Sequence, residues 1–148
     1  MIRIPAPLKE EHEELHADLV RATKAGGRTG EAAKAVAVAL HPHFVKEEAF
    51  ALPALGLLAD LAHGKLDPAM LNVLALTDKL EAELPAMLEE HKAIVSALMA
   101  LTEAADAESK PEAARFAQKL ILHAQTEEQV LYPAALLVGR YLRVMRAV

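Results

Sequence analysis

His43-Phe44-Val45-Lys46-Glu47-Glu48 and, 80 residues further on, His123-Ala124-Gln125-Thr126-Glu127-Glu128 are the two stretches whose reading decides the fold. Four residues of α-helix advance about 400° and about 6 Å, so each histidine and its glutamate lie on one face, one turn apart, where both side chains reach a common point. The echo extends outward. Pro53 and Pro133 both follow the glutamate by six residues, and Leu52 is matched by Tyr132. Upstream, Glu10-Glu11-His12 corresponds to Glu89-Glu90-His91. The lone histidine precedes the paired one by 31 residues in the first half and by 32 in the second. The chain reads as two helical hairpins, duplicated.

Composition agrees with helices. Alanine, leucine and glutamate dominate, aromatic residues make up 3%, and alternating β-branched runs are missing, which predicts an all-α fold. Breaks fall at Gly26-Gly27-Arg28-Thr29-Gly30, at His63-Gly64-Lys65-Leu66-Asp67-Pro68 and at 105–110 before Pro111. Three breaks make four helices, and short loops make neighbours antiparallel, so an up-down-up-down four-helix bundle is expected. With 148 residues, 53% of them hydrophobic, residues 1–148 are read as one domain with a sizeable core.

The same counts exclude several classes of function. The absence of cysteine removes disulfides, thiolate metal sites and thiol catalysis, so any metal takes nitrogen and oxygen ligands. A formal charge of -5 with no basic cluster argues against a nucleic-acid partner. No apolar run approaches the roughly 18 residues of a membrane span, and no signal-like segment opens the chain, so a cytoplasmic location is expected.

Helix one, about 7–25, carries Leu8, His12, Leu15 and Leu19 in one stripe. Helix two, from about 31 past Phe50, sets Val36, Leu40, His43, Glu47 and Phe50 on one face, with Pro42 predicting a kink or bulge there. Helix three starts with Asp67 as N-cap and Pro68 in the first turn, and aligns Leu84, Leu88, His91, Val95 and Leu98. Pro85 is expected to kink or divide it. Helix four, from near Pro111, presents Phe116, Leu120, His123, Glu127 and Val130 inward before Pro133 bends the end of the chain.

Four inward histidines and two inward carboxylates would cost several kcal/mol per ionised group if buried unpaired, and a cation compensates that cost. Six ligands exceed one four-coordinate zinc but suit two adjacent first-row metals with bridging carboxylates. Mixed imidazole and carboxylate donors point to iron first, with manganese and zinc behind.

Across the whole chain the pattern of His, His-x-x-x-Glu, His, His-x-x-x-Glu resembles the hemerythrin-like, or HHE cation-binding, proteins. The strings around His43 and His123, with Leu131-Tyr132-Pro133 behind the second, carry that resemblance. It implies that His12, His43, Glu47, His91, His123 and Glu127 ligate a non-heme diiron centre with a bridging oxygen species. Oxygen-carrying members place a further histidine one turn after the third-helix histidine. This chain has Val95 there, and His16, one turn after His12, is a candidate for the missing imidazole. His41 and His63 are read as surface residues, and Glu48 and Glu128 as flanking charges. Tyr132 is read either as a proton or electron donor near the site or as a packed interfacial tyrosine.

The resemblance implies binding of dioxygen, peroxide or nitric oxide for delivery, storage or sensing. Turnover of peroxide or nitric oxide by the same metals is the enzyme alternative, and a metal-free helical interaction module is the third. A ferritin-like diiron fold needs two Glu-x-x-His motifs, and Glu13-Glu14-Leu15-His16 supplies one.

Overall fold

The structure, a computed structural model, describes residues 2–146. It is all-helical, with no strand among the described residues. Helix α1 spans Ala6–Thr23 and α2 Gly27–Lys46; the short α3, Leu58–Ala62, follows a π-helical turn at Glu47–Ala51 and a 3-10 turn at Pro53–Leu57. A second 3-10 turn, Pro68–Val73, leads into α4, Leu74–Ala107. Helix α5, Pro111–Thr126, continues through a π-helical turn at Glu127–Leu131 into α6, Tyr132–Arg146. Helices α1, α2, α4 and α5 pack as a four-helix bundle in which α1 and α4 each touch α2 and α5.

The apolar stripes form two separate core clusters. One contains Leu15, Leu19, Val36, Leu40, Ile94, Leu98, Phe116 and Leu120. The other contains Phe50, Leu52, Leu80, Met87, Tyr132, Val138 and Leu142, with Leu8 packed against it. His12 falls between Leu8 and Leu15, His43 and Glu47 between Leu40 and Phe50, His91 between Met87 and Ile94, and His123 and Glu127 between Leu120 and Tyr132. A polar layer thus lies between two greasy blocks, on all four helices at once.

Helix ends follow local chemistry. Asp67 caps the turn at Pro68 by accepting from Ala69 N–H at 2.9 Å, as its position before proline predicts, although a 3-10 turn precedes α4 proper. Pro111 takes the first position of α5, where its missing N–H costs nothing. The glycine-rich break is shorter than the sequence suggests, because α2 already starts at Gly27. Its exposed amide end is satisfied from 80 residues away: Glu108 accepts from Arg28 N–H at 3.1 Å, from Thr29 N–H at 2.7 Å and from the Thr29 hydroxyl at 2.6 Å. Those three bonds, led by the Thr29 hydroxyl, hold the Glu108 carboxyl below its ordinary range.

Neither of the two helix-interior prolines divides its helix. Pro85 does not divide α4, which runs unbroken from Leu74 to Ala107; Pro85 and Glu81, whose carbonyl it leaves without an amide, both face solvent, where water replaces the bond. The inner face of α4 accordingly follows Met87, His91, Ile94, Leu98 and Leu101, while Leu84, Leu88 and Val95 are only half-buried. Pro42 is likewise exposed within a continuous α2.

Gly139 of α6 lies against Thr77 of α4, and a Cβ there would meet the Thr77 hydroxyl and stand 2.8 Å from its Cβ. Both residues are buried. Gly139→Ala should cost about 2 kcal/mol by overpacking, read as a lower midpoint in urea with an unchanged slope. Thr77→Ala in the same chain should restore only part of the loss, because it removes the hydroxyl but keeps the Cβ at 2.8 Å.

Candidate metal centre

The two π-helical turns set the site. Leu52 N–H donates to Glu47 O at 2.9 Å, and Tyr132 N–H donates to Glu127 O. These bonds span five residues and insert one extra residue into the helix. Leu52 therefore shares the inner face with Glu47, and Tyr132 shares it with Glu127. The same shift turns Val130 outward, 56% exposed, where an uninterrupted helix would have carried it toward the core. Pro42 is not the cause: the second turn occurs where Leu122, not proline, precedes the histidine. Irregular turns of this kind concentrate at functional positions.

His12, His43, Glu47, His91, His123 and Glu127 are all brought together and all buried, the two glutamates to 0% and 1% exposure. They form two overlapping groups, His12, His123, Glu47 and Glu127 in one and His43, His91, Glu47 and Glu127 in the other. Within each group the ligand atoms lie within 4.8 Å of one another. Both carboxylates belong to both groups. His123 Nε2 is 3.2 Å from Glu127 Oε2 and His91 Nε2 is 3.3 Å from Glu127 Oε1, while His43 Nε2 is 3.5 Å and His12 Nε2 3.9 Å from Glu47 Oε1.

These residues fit a pair of cations on the chemistry of their own atoms. His12 Nδ1 and Nε2, His123 Nε2, Glu47 Oε1 and Glu127 Oε2 are buried without a hydrogen-bond partner. Buried polar atoms are almost always paired, and leaving one unpaired costs about 1–3 kcal/mol, more when charged. A concentration of acceptors facing one another without donors is repaired by positive charge.

A second layer of carboxylates holds the imidazoles by their outer nitrogens. His43 Nδ1 meets Glu90 at 2.8 Å, His91 Nδ1 meets Glu128 at 2.9 Å, and His123 Nδ1 meets Glu11. His12 Nδ1 is 3.8 Å from Glu48. A proton on Nδ1 donated to a carboxylate leaves the Nε2 lone pair facing inward, the arrangement metal-binding histidines use. His12 is also stacked on Phe44, ring centroids 4.0 Å apart and 6° from parallel. Lys46 donates to Glu90 at 2.6 Å. Burial works against the charge on Glu90, but the bonds from Lys46 and His43 outweigh it and hold the carboxyl low.

Burial also shapes the inner residues. It lowers His43 to about 4 despite the pull of Glu90, and lowers His91 and His123 against Glu128 and Glu11. It lifts Glu127 to about 7, opposed by His12. Three of the imidazoles are therefore neutral at pH 7 and able to donate lone pairs.

The hydroxyl of Tyr132, itself 1% exposed, lies inside the site. It donates to Glu47 Oε2 at 2.8 Å and sits 3.1 Å from His91 Nε2 and 3.3 Å from His43 Nε2. Burial, then the charge of Glu127, pushes its ionisation far up. Glu48 and Glu128 lie outside both ligand groups, as flanking charges do, and Glu128 accepts from His91 Nδ1. Glu11 and Glu90 were not singled out from the sequence, although the repeated Glu-His pairs at 11–12 and 90–91 were the available signal.

His16 is not brought to the site. The buried stripe of α1 runs His12, Leu15, Leu19 and Ala22, so the inward position after His12 is three residues on, and His16 is turned to solvent. His41 and His63 are exposed. His16→Ala should leave metal content and spectrum as in the parent protein. Glu90→Ala should weaken metal binding by about 10- to 100-fold, the usual effect of losing a carboxylate behind a ligating histidine, as measured by competition with a chelator of known affinity. No protein-family model, curated protein or solved structure matches this chain.

Proposed function

We propose that this chain is a hemerythrin-like non-heme diiron protein, and that it binds a small exogenous ligand such as dioxygen, peroxide or nitric oxide for storage, delivery or sensing. One observation carries the reading: two groups of buried ligands share Glu47 and Glu127, and their unpartnered acceptors face one another. Sharing both carboxylates suits two adjacent ions better than two independent ones. Imidazole and carboxylate donors without thiolate favour iron, with manganese or zinc able to occupy the same residues.

The reading includes an internal duplication in an up-down-up-down bundle. It is supported by the order in which the helices pass between the two core clusters: α1 and α4 pass in one direction and α2 and α5 in the other. Matched contacts support it too, since His43 with Glu90 corresponds to His123 with Glu11, and His91 with Glu128 to His12 with Glu48.

When bound, a diiron pair supplies redox chemistry and a coordination position for the ligand. The chain's part is distinct. His12, His43, His91 and His123 would hold the pair through inward nitrogens, Glu47 and Glu127 would bridge it, and the outer carboxylates would fix ring orientation. The two apolar clusters exclude water above and below the layer, which favours holding a ligand without side reactions. Tyr132 gives the enzyme alternative its specific support, because its hydroxyl donates its proton to Glu47 Oε2 across 2.8 Å between the oxygens.

Protein from iron-supplemented cells should contain two irons per chain. Absorption spectra before and after dioxygen, peroxide and nitric oxide then separate the readings. A stable adduct supports the binding protein, rapid peroxide loss supports the enzyme, and absence of metal leaves the helical interaction module.

A further inference from the structure

The two metal positions differ in what already engages them. At the His12–His123 position, His12 Nε2, His123 Nε2, Glu47 Oε1 and Glu127 Oε2 have no hydrogen-bond partner. At the His43–His91 position a protein group stands among the ligand atoms. The Tyr132 oxygen is 2.8 Å from Glu47 Oε2, 3.1 Å from His91 Nε2 and 3.3 Å from His43 Nε2, and the two Nε2 atoms are 2.8 Å apart. The difference follows from the sequence. The π-helical turn brings residue 132 onto the face of Glu127 and residue 52 onto the face of Glu47, and residue 52 is leucine, with no polar atom to offer.

We infer that the two positions fill in order, the His12–His123 position first, and that the Tyr132 hydroxyl sets that order by occupying the His43–His91 position until the second ion displaces it. The inference rests on the two-metal reading above and adds to it which position is the tighter. An ion entering between His12 and His123 breaks no hydrogen bond and relieves four unpaired acceptors. An ion entering between His43 and His91 must take Glu47 from the hydroxyl and displace the Tyr132 oxygen from beside both Nε2 atoms. One hydrogen bond to a charged group corresponds to about tenfold or more in affinity, and this sets the expected gap between the two binding steps. Tyr132 acts here as a positioning residue: it holds Glu47 by Oε2 and leaves Oε1 unpartnered for the first ion.

The test is a titration of metal-free protein with cobalt(II), followed by native mass spectrometry and by the visible absorption of the bound ion. With one equivalent added, the parent protein should be mainly a one-metal species, and with two a two-metal species. His12→Ala should lose the tight first step, whereas His43→Ala should keep it and lose the second. Tyr132→Phe keeps the packed ring and removes the hydroxyl; its second step should tighten by about tenfold, so that one equivalent yields a mixture of empty, singly and doubly loaded chains. Equal steps in the parent protein, loss of the tight step in His43→Ala, or a weaker second step in Tyr132→Phe would each overturn the inference. Two bound ions in the parent protein would still stand for the diiron reading in those cases. No bound cobalt in the parent protein would overturn both.

Discussion

Glu127→Leu should take the metal content of the protein from two ions to none while leaving the metal-free bundle as stable as the parent or more so. The two effects have opposite signs because Glu127 belongs to both ligand groups yet is an unpaired, 1% exposed carboxyl when no ion is present. Each histidine pair is then left with Glu47 alone, for which both compete, so one substitution disables both positions. Replacing a buried ionisable group by an apolar one of similar volume is often neutral or stabilising, by about 1–4 kcal/mol in measured cases. Glu47→Leu should also lose both ions without destabilising the metal-free bundle, because the Tyr132 hydroxyl it releases can donate to His91 Nε2, 3.1 Å away. Metal analysis together with urea melts of the metal-free proteins checks both outcomes. A Glu127→Leu protein that still holds one ion would mean the carboxylates are not shared.

Removing the metal should lower the melting temperature on the order of 10 °C without unfolding the chain. Each ion that binds only the native state adds about 2.7 kcal/mol at a free concentration of 100 times its dissociation constant. Two such sites give roughly 5 kcal/mol, and a domain of this size gains about 2–4 °C per kcal/mol. The bundle should survive because its two apolar clusters do not include the ligands. Loosening should be local. Amide hydrogen exchange should rise most at Glu47–Ala51 and Glu127–Leu131, where the helix already departs from regular geometry. Identical melts with and without verified metal would detach the ions from the fold.

Much of this arrangement is legible in the sequence because helical period and polarity act together. A histidine or glutamate on an otherwise apolar stripe, as at His43, Glu47, His123 and Glu127, has nowhere to go but inward, and these four with His12 and His91 do meet in one layer. The stripe of α2, Val36 to Phe50, is buried throughout as its spacing predicts. What the period misses is register. A fixed 3.6-residue repeat carries Val130 to the core and gives Tyr132 no special place, whereas one inserted residue exposes the first and delivers the second to the site. His16 fails for a related reason, since a packed stripe steps alternately by three and four, and a spacing of four from His12 alone does not say which step comes next. Pro42 and Pro85 leave their helices continuous because a proline on a solvent face leaves its orphaned carbonyl open to water. The cap from Glu108 to the start of α2 is a contact across 79 and 80 residues, and no local pattern announces it.

The most direct test of a centre bridged by Glu47 and Glu127 is a crystal structure of the iron-loaded protein with anomalous diffraction at the iron edge. Two peaks should lie inside the bundle, one ligated by His12 and His123 and the other by His43 and His91, with both glutamates reaching both. A single peak, or iron held only by exposed carboxylates while the six buried residues keep the contacts described above, would contradict it.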